Sequence, residues 1–432
     1  MNQDRSRWLL GLVIAGAVSL PGMAGAQEAA VARMDVAAQP TRTEAEVVAA
    51  VRGRNLRLEA ARAGAAADAE RPGQVRWPFP MVEVMPMVAM IADGEAGAQV
   101  MARQAIPWPG RLAADRAARA SMASATALEV EAMDLELVLL ARTTYSELWG
   151  VQERRSLIGE YMAQLDLYRE AALAQYAAGR TPLQAVLGIE VETEVLGQRL
   201  ESLAEERAAL VARIESLTGG QVRIGGDDRL ASPAARGGAP DPAEYLAQVA
   251  GHPLVEAGRA MVSAEESLAD MRRTMLRPEL SVGLNLNLSR MGFDRMYGQE
   301  PVMPSIGLSL PLWRGGVRAE IREAELRASQ RELETADALL ALETELDDVL
   351  TQLSRVQDRV ARYEDRLRPQ VRQVLDASLA GYQAGTTRFL ELLDAQRMAL
   401  DVEMDLIAAR VREASLHARL DATIGRHPAG NE

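Results

Sequence analysis

The chain has 432 residues, 48 basic against 61 acidic side chains, a formal net charge of −13, no cysteine and only 4% aromatic residues. Such an acidic chain is a poor partner for nucleic acid, and without cysteine it has neither a disulfide framework nor a thiol centre. Abundant Ala, Leu, Arg and Glu, with every basic residue an arginine, is the composition of long helices.

In chain order, residues 1–26 read as a secretory signal peptide. Arg5 and Arg7 precede the apolar run from Trp8 to Leu20, and Ala24-Gly25-Ala26 offers the small-residue cleavage site. The run is shorter than the roughly 20 residues of a spanning helix. No cysteine stands at the cleavage point to take a lipid.

A first structural repeat is expected over 27–217. It opens on a weakly alternating β-hairpin at about 79–108, in which Val82, Val84 and Val88 share one face and Met81, Glu83, Met85 and Met87 the other. The return strand runs from about Gln99 to Trp108. A helix from Leu112 to about Tyr176 follows, then a tip near 179–182 and a return helix over 183–217. At the tip, Gly179 suits the left-handed helix end, Thr181 an N-cap and Pro182 an early helical position. Residues 218–242, rich in Gly, Pro, Asp and Arg, read as a linker.

The second repeat, expected over 243–426, restates the first. Tyr176-Ala177-Ala178-Gly179 matches Tyr382-Gln383-Ala384-Gly385, and the frame holds from Thr181 and Thr387 to Leu187 and Leu393. Asn55-Leu56-Arg57-Leu58 likewise matches His252-Pro253-Leu254-Val255. The hairpin at about 279–313 alternates clearly, with Leu280, Val282, Leu284, Leu286 and Leu288 facing away from Ser281, Gly283, Asn285, Asn287 and Ser289; Ser305 to Leu312 does the same. From Val317 to about Gly381 the text is helical, and Leu339, Leu342, Leu346, Val349, Leu353, Val356, Val360, Tyr363 and Leu367 form a heptad seam. The seam stops near Pro369, where a break is expected. The tip falls near 385–387, the return helix runs from Phe389 to about Ile424, and 427–432 is a tail.

Alternation over about 10 residues is the pattern of a transmembrane barrel strand. Two hairpins give four strands, too few to close a barrel, so membrane insertion requires oligomerisation; three copies would give twelve strands around an open lumen. The fold class is therefore mainly α with a membrane β-barrel, built from a duplicated unit. The first-hairpin methionines are thioethers that could suit Cu(I) or serve as adaptable filling, and with no defined ligand set no metal site is assigned. The three histidines are isolated and no phosphate-binding glycine loop is present, so no cofactor and no enzymatic centre is expected.

These features resemble the TolC-like outer-membrane efflux proteins. The clearest local likeness is Gly385-Thr386-Thr387-Arg388-Phe389-Leu390-Glu391-Leu392-Leu393-Asp394-Ala395-Gln396, with Leu310-Pro311-Leu312-Trp313-Arg314-Gly315-Gly316 at the strand-to-helix passage. Gln104 to Leu112 is most similar to the heavy-metal branch. The resemblance implies a homotrimeric, passive exit duct in the outer membrane, with a trimeric 12-stranded barrel and a long periplasmic α-barrel. Its implied partners are outer-membrane lipid, a periplasmic adaptor (membrane-fusion) protein and an inner-membrane pump, the resistance-nodulation-division type being one option. It implies adaptor contacts at Gly179, Arg180, Thr181, Gly385, Thr386 and Thr387, and a periplasmic gate ring of Glu391 and Asp394. Trp108 and Trp313 read as membrane-interface aromatics. The competing reading is a soluble periplasmic coiled-coil scaffold or adaptor.

Overall fold

The computed structural model describes residues 41–88, 96–179, 181–226, 228–233, 242–289, 302–384 and 386–427. The expected signal peptide lies outside the described residues, as do Arg180, Gly385 and all of the expected tail but His427.

Helix-forming sequence without interior proline produces helices of unusual length. In the first half, strand β1 (Thr41–Arg42) and helices α1 (Glu44–Arg54) and α2 (Leu56–Ala69) lead to the hairpin β2 (Met81–Val88) and β3 (Ala96–Ile106). Then come α3 (Arg111–Ala177) and α4 (Leu183–Leu217). The 67 residues of α3 span about 100 Å. Strand β4 (Arg229–Leu230) and helices α5 (Pro242–Val249) and α6 (Pro253–Thr274) connect to the second hairpin, β5 (Glu279–Ser289) and β6 (Val302–Ser309). Helices α7 (Arg314–Arg362), α8 (Arg368–Gln383) and α9 (Phe389–Thr423) complete the chain.

The heptad seam of α7 buries Leu346, Val349, Leu353 and Val356 against Leu416, Leu420 and Ile424 at the end of α9 and Val249 of α5. The interruption comes one turn before Pro369, where Tyr363–Leu367 winds as a single π-helical turn and α8 carries the proline in its first turn. A proline there has no N–H for the carbonyl four residues back, and its ring crowds that carbonyl; widening the preceding turn relieves both without a sharp kink.

The duplicated restart motif performs one task with two different residues. Asn55 caps α2 by accepting from the Leu58 N–H at 3.1 Å while its amide donates to the carbonyl of Leu217, in the last turn of α4, at 2.9 Å. His252 caps α6 by accepting from the Leu254 N–H at 3.1 Å, and its other ring nitrogen lies 3.2 Å from the carbonyl of Ala422, in the last turn of α9. Each restart thus clamps the end of the return helix in its own half. Gly219 (φ 60°) and Gly425 (φ 70°) end those return helices in the left-handed region.

The segment read as a linker is partly packed. Thr218, Ile224 and Leu230 are buried, and β4 pairs in parallel with β1 (Thr41 with Arg229, Arg42 with Leu230). The buried Tyr145 hydroxyl lies 2.8 Å from the carbonyls of both Arg42 and Ala231, tying this small sheet to α3. Nearby, the buried Arg142 guanidinium donates to Glu44 of α1 and, at 2.7 Å, to Asp421 of α9. One cation therefore joins the start of the described chain to both halves.

Candidate functional site: the sheet and the paired tips

The two hairpins form one antiparallel sheet in the order β2-β3-β5-β6. Its register aligns the alternation of all four strands: Val84, Val100 and Leu286 lie in one row with Val302, and Val82, Ala102 and Leu284 lie in the next with Pro304. One face is thus wholly apolar near the middle. Nothing among the described residues covers it: Ile306 is 80% exposed, and Leu308, Val82 and Val84 are each more than half exposed. The opposite face carries Glu83, Met101, Asn285 and Met303 in a row, flanked by Met81, Arg103, Gly283 and Ser305. The methionines of the first hairpin therefore sit on the polar face, where the Arg103 guanidinium donates to the Met101 sulfur at 3.5 Å. Strands β2 and β6 have open edges among the described residues. The return strands end where Pro107 and Pro311 approach, so Leu310–Trp313 is a junction rather than the strand end expected from sequence.

All four passages between strand and helix fall at one end of this sheet. Trp108, at the end of β3, stacks under Arg277 with 5.2 Å between guanidinium and ring, and Arg76 covers Phe79 at 4.3 Å. Trp313, immediately before α7, is 87% exposed.

At the far end of the helices, the tips use their threonines differently from the expectation of N-caps. Gly179 ends α3 at φ 68°, but Thr181 donates back to Gln175 of α3 at 2.8 Å, and Pro182 itself takes the N-cap position of α4. In the second tip the backbone N–H groups of Thr386 and Thr387 both donate to the Gly381 carbonyl, at 2.9 and 3.1 Å, and the Thr386 hydroxyl donates to it as well. They close the end of α8, leaving Arg388 as the N-cap of α9. The carbonyls ending a helix need donors as much as the next helix needs a cap, and here the outgoing helix takes them.

Glu391 is engaged within its own turn. It accepts the Arg388 backbone N–H at 3.3 Å and the Arg388 guanidinium at 2.9 Å, contacts that hold its carboxyl below the usual range. Asp394 is exposed and lies 3.8 Å from Arg397. Sequence reading missed the residues that join the two tips. The Tyr382 hydroxyl donates to Gln175 at 3.2 Å, Phe389 packs edge-on between the rings of Tyr168 and Tyr382, and Gln396 donates to the Tyr168 hydroxyl at 2.8 Å. Arg397 binds the buried Glu192 of α4 through two guanidinium nitrogens. Arg397 stands three residues from Asp394, but its buried partner lies in the other half of the chain and has no local signature in the sequence.

No helix among the described residues is long and apolar enough to cross a membrane. No group of three or more His, Asp or Glu residues that could hold a metal ion occurs among them either. A bare apolar sheet, open at both edges among the described residues and standing on helices of this length, is not complete as a self-contained globular domain. Residues 248–426 match the family model described as outer membrane efflux protein. The cobalt-zinc-cadmium resistance protein CzcC of Cupriavidus metallidurans is 25% identical over 264 residues, covering 60% of each chain. The pyoverdine export outer membrane protein OpmQ of Pseudomonas aeruginosa is 25% identical over 336 residues, covering 74% of this chain and 66% of that one. The chain thus matches less than two thirds of either relative's length. The solved structure of CusC superimposes with a TM-score of 0.75 at 16% identity, over 90% of this chain and 93% of that one. Residues 248–426 thus carry the pattern of the outer membrane efflux proteins, and the chain shares the fold of CusC over 90% of its length.

Proposed function

We propose that this chain is the exit duct of a tripartite efflux system, conducting substrate passively from an inner-membrane pump and periplasmic adaptor across the outer membrane. The single observation that carries the reading is the uncovered apolar sheet face, running across all four strands and bounded by two open edges. Such a face is stable only against lipid, and such edges only when paired with other chains. Three copies close a twelve-stranded barrel wide enough for a lumen, with Met81, Asn285 and Ser305 on the inner wall. The two structural repeats, 27–217 and 243–426, then each contribute one hairpin and one helical pair to the tube.

At the other end, adaptor contact falls on the tips around Gly179, Thr181, Thr386 and Thr387, and the exposed Asp394 with Glu391 supplies the acidic ring at the entrance. The duct itself performs no catalysis. Because the name of one matched relative refers to resistance to cobalt, zinc and cadmium, those ions are the first cargo to test. Fractionation is the direct experiment: detergent-dependent extraction from outer membranes as a trimer that conducts ions in planar bilayers is the expected result. A freely soluble periplasmic monomer would refute the duct and favour a scaffold.

A further inference from the structure

Each of the four strand–helix junctions carries an arginine: Arg76 before β2, Arg111 after β3, Arg277 before β5 and Arg314 after β6. In segments 71–80, 107–111, 275–279 and 310–318 every charged residue except Glu279 is an arginine, in a chain whose net charge is −13. The distribution is thus opposite in sign to the rest of the molecule. Glu279 engages Arg111 at 3.4 Å, whereas Arg76, Arg277 and Arg314 are exposed and make no ion pair among the described residues. Their aromatic neighbours are exposed too: Trp77 is 56%, Phe79 70% and Trp313 87% exposed. The contacts of Arg76 with Phe79 and of Arg277 with Trp108 hold cations beside apolar rings at one height along the molecule.

We propose that this ring of junctions is a docking surface for the headgroups of anionic phospholipids, in the leaflet from which the helices emerge. The inference rests on the duct reading, which puts the junctions at the membrane surface. Indole and phenyl rings partition to that depth, and a guanidinium beside them meets the phosphate through paired N–H donors. Zwitterionic headgroups offer the same phosphate with a compensating ammonium, so an unpaired arginine ring favours lipids of net negative charge. A ring serving only as an apolar anchor would need the aromatics but not the arginines.

The chain provides its own reporter. Among the described residues the tryptophans are Trp77, Trp108 and Trp313, all at the junctions, and Trp149, which is buried between helices. Full-length protein in mixed micelles is titrated with brominated phosphatidylglycerol or brominated phosphatidylcholine, whose bromines quench tryptophan on contact. The parent is expected to show stronger quenching by phosphatidylglycerol. Each arginine near an anionic surface is worth roughly fivefold in partition at low salt. The combined variant R76Q/R277Q/R314Q should therefore lose the preference by on the order of a hundredfold, while phosphatidylcholine still quenches as before. Added salt should erode the parent's preference and not the variant's.

Equal quenching of the parent by both lipids, or an undiminished preference in the variant, overturns the inference while leaving the duct intact. A variant whose assembly dissociates in phosphatidylcholine as readily as in phosphatidylglycerol assigns the arginines to contacts between copies of the chain, and overturns it as well. Absence of quenching by either lipid removes the junctions from the membrane and refutes the duct reading first.

Discussion

Substituting arginine along β5 tests both the facing and the depth of the sheet. The strand has 11 residues, so Leu284 lies at its centre, five residues from either end. At about 3.3 Å per residue and a tilt of about 40°, Leu284 stands roughly 13 Å from each end, the midplane of an apolar band about 25 Å tall. Leu284→Arg should therefore cost about 2 to 4 kcal/mol per chain, and three copies in a closed barrel about 6 to 12 kcal/mol. Leu280→Arg, on the same face but one residue from the strand's start, should cost no more than about 1 kcal/mol, because the side chain reaches the interface. Asn285→Arg, on the opposite face, should leave folding into lipid near that of the parent and change conductance instead. Urea titration of each variant refolded into lipid vesicles measures the first two costs, and planar-bilayer recording reads the third. Equal costs at Leu280, Leu284 and Asn285 would refute the assignment of the apolar face to lipid.

Arg142→Met leaves Glu44 and Asp421 facing each other in a buried site, and denaturant unfolding should show a loss of about 3 to 5 kcal/mol that the added changes Glu44→Gln and Asp421→Asn partly restore. Burial lowers the His252 pKa below its ordinary 6.5, and protonation would also occupy the ring nitrogen that accepts from Leu254. The unfolded chain then binds the proton more readily, so stability contributed by neutral His252 is present above pH 6.5 and is lost as pH falls below it. Melting temperatures from pH 8 to 5 should decline less steeply for His252→Asn, which keeps a capping side chain, than for the parent; parallel curves would contradict the account. Glu391→Gln with Asp394→Asn should weaken cation selectivity and block by multivalent cations in bilayer recordings without altering membrane insertion. Unchanged selectivity would remove these acids from the conduction path.

What the sequence made legible follows from the period of each signal. The alternation of β5 is strict because one face of the sheet is apolar and the other polar, so Leu280 to Leu288 could be read without any partner strand. The first hairpin was a weaker signal, since Met81 and Met85 are apolar yet alternate onto the face of Glu83; that Met101, Arg103 and Asn285 line the same face is shown only by the cross-strand register. The heptads of α7 announced their own packing, and Pro369 announced an interruption. Its form as a π turn at Tyr363–Leu367 depends on how the preceding turn relaxes, for which no residue type is diagnostic. Two-residue strands such as β1 and β4 have no period at all.

The tip carries the sharpest lesson, because Thr181, Thr386 and Thr387 have one chemistry and two neighbouring ends to satisfy. A threonine hydroxyl between two helices can accept from the N–H groups of the incoming N-terminus or donate to the carbonyls of the outgoing C-terminus, and propensity favours the former, whereas a backbone N–H can only donate. Here Pro182 and Arg388 occupy the N-cap positions, so the donors turn back. Gly381 makes that return possible: a Cβ there would lie 2.2 Å from the Thr387 hydroxyl oxygen. The second tip is consequently held to the body of α8, and through Tyr382 and Gln175 to the first tip, rather than to the return helix it introduces. Moving the two helical pairs apart at this end requires breaking contacts between halves, among them the Tyr382–Gln175 bond, the Gln396–Tyr168 bond and the Arg397–Glu192 pair, while each tip keeps its own shape.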